Sequence, residues 1–288
     1  SGLAQNSSRP DNFIGIHYFS PVEKMPLVEI IMGEKTSQKT LAKTMDYVQK
    51  IKKTPIVVND SRGFYTIRVF GTYTGEGVAM LAEGIKPALI ENAGKMTGMP
   101  MAPLALADAV ALDLAWKVTT QTKKDFEAEG KDFPITPMYS IMEEMVEKQG
   151  RFGKKNNKGF YEYPENGKKY LWPELSNLCK ESDDQPDVEE LKKRFLYIQA
   201  VETAKCFEEN VLTDVRDADI GAILGWGMAP WTGGPLSFID MVGVKDFVAE
   251  ADKLAQKYGE RFTPCKLLRD MAAKNESFHK SGNSSQAA

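Results

Sequence analysis

FYTIRVFGTYTGEGVAMLAEG, residues 64–84, reads as one helix closed by Gly84, a natural residue for the position just past a helix C-terminus. Three of its charged residues return downstream at a single spacing. Arg68, Glu76 and Glu83 recur as Arg194, Glu202 and Glu209, each offset by 126. The stretch MAPLALADAV (101–110) then returns as TGGPLSFIDMV (232–242), with Pro103/Pro235 and Asp108/Asp240 offset by 132, as a six-residue insertion between copies would produce. Self-similarity at a fixed period means repeated structural units, and a period this long means two copies of one helical domain rather than a solenoid.

The rest of the chain beyond about residue 64 fits that reading. KPALIENAGKMTG places Pro87 in a first turn, where its missing N–H does no harm. Helical stretches are expected over roughly 104–127, 137–149, 187–209, 214–225, 243–258 and 264–275. Between them GRFGKKNNKGFYEYPENGKKYLWPEL (150–175) has no helical period and reads as a long surface loop or small hairpin. Upstream the character changes. NFIGIHYF and PLVEII are apolar, β-branched runs that read as strands. SQKTLAKTMDYVQKI places Leu41, Met45, Val48 and Ile51 on one helical face behind Ser37 as N-cap, and TPIVVND is a further strand. Residues 13–59 are therefore an α/β piece with few strands.

Composition narrows the function classes. A net charge of −3 gives no pull toward nucleic acid or an anionic membrane, and no apolar run is long enough to span a bilayer. Cys179, Cys206 and Cys265 are odd in number and widely spaced, which fits neither a zinc site nor a disulfide framework and suits a reducing compartment. With two distant histidines, a metal centre is not expected. The start, SGLAQNSSRPDNF, has no Met and no leader pattern, and reads as the interior of a longer chain.

One of the two histidines, His17, sits inside a strand-like run, with Glu29 twelve positions on. Adjacent strands of matching parity would bring them together. Taken alone, a histidine in an apolar strand is more often packed core than proton carrier, and Glu29 could equally be a solvated strand position. Close helix packing and turns explain the glycines of GTYTGEG and GWGMAPWTGG better than phosphate binding, since neither follows a strand. Lys154, Lys155 and Lys158 could meet an anion or simply be solvated, and Trp226 and Trp231 read as packing.

GIHYFSPVEKMPLVEII, NDSRGFYTIRVF, GMPMAPLALADAVALD, GRFGKKNNKGFYEY and LGWGMAPWTGGPLSFID together resemble the 3-hydroxyacyl-CoA dehydrogenase family. The likeness is narrower still to the dehydrogenase portion of the multifunctional fatty-acid β-oxidation α subunit, and it spans essentially the whole chain. It implies a mainly α fold. Two duplicated helical domains, similar to the C-terminal domain of 6-phosphogluconate dehydrogenases, follow the last strands of an N-terminally truncated Rossmann domain. The boundaries expected are 1–60 for the closing part of the NAD-binding domain, 61–180 for the first helical domain and 187–288 for its repeat.

The resemblance further implies NAD-dependent oxidation of (3S)-3-hydroxyacyl-CoA to 3-ketoacyl-CoA. In such enzymes His17 would be the general base and Glu29 the group that holds its ring. An acyl-CoA substrate is implied, with a thiolase subunit as partner, a hydratase segment upstream, and a bacterial cytoplasm or mitochondrial matrix as setting. Two departures stand out. No strand–GxGxxG–helix occurs, so the NAD site is largely missing from these residues and the 288 residues alone are expected to be inactive. The family's substrate-placing Asn or Ser in GF-x-x-[NS]-R is Ile67 here, which can neither donate nor accept a hydrogen bond, so either Ser20 or Thr66 supplies that contact or the site is weakened. The competing expectation is a catalytically silent assembly or acyl-CoA-binding module of a β-oxidation complex.

Overall fold

The strands β1 (Gly15–Tyr18), β2 (Leu27–Met32) and β3 (Thr54–Asn59) form one sheet in the order β1-β2-β3, with β1 antiparallel and β3 parallel to β2. The computed structural model describes residues 1–133 and 135–279; positions 280–288, the end of the expected second repeat, lie outside the described residues. The chain divides into two compact units, Ser1–Gly71 with Leu196–Ala288, and Thr72–Phe195.

In the first unit the central strand β2 is buried on both faces, which explains why LVEIIM lacks strict alternation. Helix α1 (Gln38–Lys50), capped by the Ser37 side chain as expected, packs Val48 against Val28 and Ile30. By the two-residue period of a strand, Leu27, Glu29 and Ile31 turn to the opposite face. Helix α2 (Thr66–Ala82) begins on that side with Tyr65 and Thr66. Along the chain follow α3 (Pro87–Met96), α4 (Pro103–Val110), α5 (Leu112–Ala128), α6 (Pro137–Glu143), a π-helical turn over Glu144–Lys148, and a two-residue-per-strand hairpin, β4 (Tyr161–Glu162) with β5 (Tyr170–Leu171). The short α7 (Leu175–Leu178), α8 (Val188–Glu208), α9 (Val215–Trp226), α10 (Pro235–Val242), α11 (Val244–Tyr258) and α12 (Lys266–Lys274) complete the fold. The α9 helix reaches the Glu29 face of the sheet: a side chain at Gly221 would meet Ile56, and one at Gly225 would meet Leu27.

Three elements differ from the sequence reading. The helix expected over 104–127 is broken at Ala111, whose φ of 87° no helix accommodates. The helix expected over 137–149 gives way to the π turn after Glu143. Helix α10 falls in a gap between the expected helices, although its first residue, Pro235, is the repeat partner of Pro103, the first residue of α4.

The duplication is written in the hydrogen bonds. In the second unit Glu91 accepts from the backbone N–H of Leu104 and Ala105 at the start of α4, and Asp108 accepts from Phe160 and Tyr161. In the first unit Asp219 accepts from Leu236 and Ser237 at the start of α10, and Asp240 from Phe278 and His279. Even the outer side chain matches in place, Tyr161 donating to Glu91 where His279 meets Asp219. The repeated arginines pair crosswise: Arg68 with Glu202 and Glu209 in one unit, Arg194 with Glu76 and Glu83 in the other. Burial alone would push the Arg194 guanidinium down, but its two glutamates outweigh it and hold it raised.

Candidate active site

His17 and Glu29 are direct cross-strand partners on β1 and β2, so their side chains share one face of the sheet. His17 Nδ1 lies 2.6 Å from Glu29 Oε2. Glu29 is 0% exposed while the His17 side chain keeps 23% of its surface. The pair therefore has a sealed carboxylate end and an imidazole end that meets the outside.

Three further donors converge on Glu29. The N–H groups of Tyr65 and Thr66 reach Oε1 at 3.2 and 2.9 Å, and the Thr66 hydroxyl donates to Oε2 at 2.6 Å. These amides are at the start of α2, where backbone donors have no partner within the helix and the helix dipole favours negative charge. The turn that delivers them needs two left-handed residues, Gly63 at φ 77° and Phe64 at φ 50°. For phenylalanine that conformation costs roughly 1–3 kcal/mol, strain that this site retains. The Phe64 ring in return lies 5.9 Å from the His17 ring, and Phe19 packs at 4.7 Å.

A carboxylate with donors on both oxygens leaves the proton of a neutral His17 on Nδ1. Its Nε2 is then a free acceptor, with no hydrogen-bond partner among the described residues. Chemically this is a base at Nε2 backed by a negative charge, able to take a proton and return it.

The remaining candidates separate. Thr66 is buried with its hydroxyl committed to Glu29, whereas Ser20 is exposed. Ile67, one residue further along α2, is 47% exposed. Of the loop lysines, Lys155 pairs with Asp113. Trp226 is buried against Tyr65 and donates to Gln199, while Trp231 is half exposed. The involvement of Tyr65 and Thr66 N–H groups was not readable beforehand, since backbone donors leave no residue signature; Gly63 was the available hint. Among the described residues no His, Cys, Asp and Glu cluster could hold a metal, and no helix is long and apolar enough to cross a membrane. No strand among them enters a glycine-rich turn and helix, so these residues do not by themselves fit a dinucleotide pyrophosphate.

Comparison with known proteins gives two family matches. Residues 1–61 match the NAD binding domain of 3-hydroxyacyl-CoA dehydrogenase and residues 63–163 its C-terminal domain. Among solved structures, 3-hydroxybutyryl-CoA dehydrogenase from Escherichia coli K12 shares the fold, with a TM-score of 0.74 and 21% identity over 95% of this chain and 73% of that one. The dehydrogenase part of multifunctional enzyme 1 from C. elegans is 26% identical with a TM-score of 0.65, covering 93% of this chain and 61% of that one. (S)-3-hydroxybutyryl-CoA dehydrogenase from Ralstonia eutropha is 36% identical with a TM-score of 0.50, over 57% of this chain and 56% of that one. The chain thus spans less than two thirds of the second and third of these relatives.

Proposed function

Because the chain belongs to the 3-hydroxyacyl-CoA dehydrogenase family, we propose that it carries the acid–base half of the oxidation of (3S)-3-hydroxyacyl-CoA to 3-ketoacyl-CoA in fatty-acid β-oxidation, within a longer multifunctional chain. NAD is the cofactor of the matched N-terminal domain and supplies the hydride acceptor when bound. The observation that carries the reading is the His17–Glu29 pair, joined at 2.6 Å with Nε2 free.

As the C3–H hydride leaves, the C3 hydroxyl proton passes to His17 Nε2 and the carbinol becomes a ketone. Glu29 stabilises the imidazolium that forms and keeps the ring from turning. In the reverse direction the same proton returns to the oxygen. Imidazole suits both directions because its ordinary pKa lies near neutrality. A thiolase is the partner class whose reaction consumes the 3-ketoacyl-CoA product, and the setting is a bacterial cytoplasm or a mitochondrial matrix.

NADH formation from (3S)-3-hydroxyacyl-CoA tests this. The 288 residues alone should turn over negligibly, because hydride transfer needs the nicotinamide held at near-attack distance. A chain in which a glycine-turn NAD-binding half precedes them should be active. Because the Thr66 hydroxyl is already committed to Glu29, Ile67→Asn in that chain should raise kcat/KM unless Ser20 supplies the contact, in which case it should do little. The specific observation favouring a silent acyl-CoA-binding module is Ile67 itself. Acyl-CoA binding with no turnover in the longer chain would select that reading.

A further inference from the structure

We infer that Thr66 is a positioning residue of the His17–Glu29 pair, whose hydroxyl fixes one carboxylate oxygen and takes up part of its charge so that His17 can release the proton it gains. This rests on the reading of His17 as the acid–base group. Two donors share Glu29 Oε2, His17 Nδ1 and Thr66 Oγ1, each at 2.6 Å, while two backbone amides occupy Oε1. An ionised carboxylate offers about four acceptor positions, so the four donors use its capacity. In a buried site such charge-assisted bonds are strong, and donors on one oxygen compete for the same charge.

The Thr66 side chain is also held in one orientation. Its Cγ2 methyl points toward α9, 3.4 Å from where a side-chain carbon on Gly225 would stand, so the hydroxyl is left facing Glu29. The ring contacts of His17 are Phe19 and Phe64, both uncharged, and Glu29 is its ionic partner. Two other titratable groups near Glu29, among the described residues, are Tyr65 and Cys206. Burial pushes the Tyr65 hydroxyl well up and the Cys206 thiol up to about 12, so both are neutral at pH 7. The balance of charge on His17 therefore turns on how many neutral donors Glu29 keeps. Without the Thr66 hydroxyl, His17 Nδ1 is the one donor left on Oε2 among the described residues, so more of the carboxylate charge falls on the imidazole.

The test reads protonation in the 288-residue chain itself. With isotope-labelled histidine the two imidazoles, His17 and His279, give separate NMR signals. Thr66→Val and Thr66→Ala should raise the imidazolium-to-imidazole ratio of His17 at pH 7 by about tenfold, the scale of one hydrogen bond to a charged group. Thr66→Ser should return it to within about twofold of the parent, a spread well inside that scale, and His279 should not respond. A ratio unchanged in folded Thr66→Val or Thr66→Ala overturns the inference. So does failure of both to fold while Thr66→Ser folds, because the hydroxyl would then serve the fold. No turnover is measured, so the outcome is separate from whether His17 is the catalytic base: the ratio can respond while His17→Gln stays active, which would sink only the functional reading.

Discussion

Ala111 and Gly243 occupy equivalent places in the two repeats, each ending one short helix and capping the next. Their backbones nearly coincide, at φ 87°, ψ 117° and φ 90°, ψ 121°. Only glycine adopts that region without steric cost, so the first repeat carries strain that the second does not. Ala111→Gly should therefore stabilise the protein by about 1 kcal/mol, the relief of an outlier less the entropy of an added glycine; urea unfolding measures it. Gly159 presents the opposite case. A side-chain carbon there would lie 2.0 Å from Asp108 Oδ1, so Gly159→Ala should cost roughly 1–3 kcal/mol through overpacking.

Asp108 itself gives a pH dependence. Burial pushes its carboxyl up to about 6, against the Phe160 and Tyr161 N–H groups and the Tyr163 hydroxyl that favour the charged form. A raised folded pKa means the native state binds the proton more tightly than the unfolded chain. That stabilisation is fully present below about pH 4, the unfolded value, and is lost as pH rises through about 6. The parent should lose about 2 kcal/mol more than Asp108→Asn between those limits, read as the difference in their pH–stability slopes. Which of these residues matter was only partly legible: Asp108 stood out through its repeat, while the break at Ala111 was hidden because alanine gives no turn signal.

At the scale of elements, the crosswise arginine pairs differ in burial. Arg194 is 0% exposed between Glu76 and Glu83, whereas the Arg68 side chain keeps 21% of its surface. Removing one partner of a sealed ion pair strands a buried charge and costs roughly 3–5 kcal/mol; exposed pairs are worth about 1 kcal/mol or less. The Arg68–Glu202 pair is itself partly buried, so Arg194→Met should destabilise more than Arg68→Met in thermal unfolding at neutral pH, the difference reflecting the fuller burial of Arg194. The sequence revealed these arginines through their common offset, but not that each would bind the other copy's glutamates. Spacing records equivalence between positions, and contact requires the fold. Helix α10 shows the converse: the PLALADAV and PLSFIDMV correspondence is carried by the sequence, yet no helix is expected there, because eight residues behind paired glycines read locally as a turn.

For the molecule as a whole, the strand–strand–helix–strand opening and the helical duplication were legible because strand parity and long repeats are carried by residue identity. The buried end of the site was less so. Three of the four donors on Glu29 come from the start of α2, brought to the sheet by the left-handed pair Gly63 and Phe64. The central claim is that this assembly makes His17 the proton acceptor for a 3-hydroxyacyl-CoA. Its most direct test is kcat/KM for NAD-dependent oxidation of (3S)-3-hydroxyacyl-CoA by a chain with a glycine-turn NAD-binding half preceding these residues, compared with its His17→Gln variant. Loss of a positioned acid–base group should lower kcat by about 10²–10⁴-fold with KM for the acyl-CoA nearly unchanged. A variant that keeps its rate to within about threefold, far short of that loss, would contradict the assignment of His17 as the base.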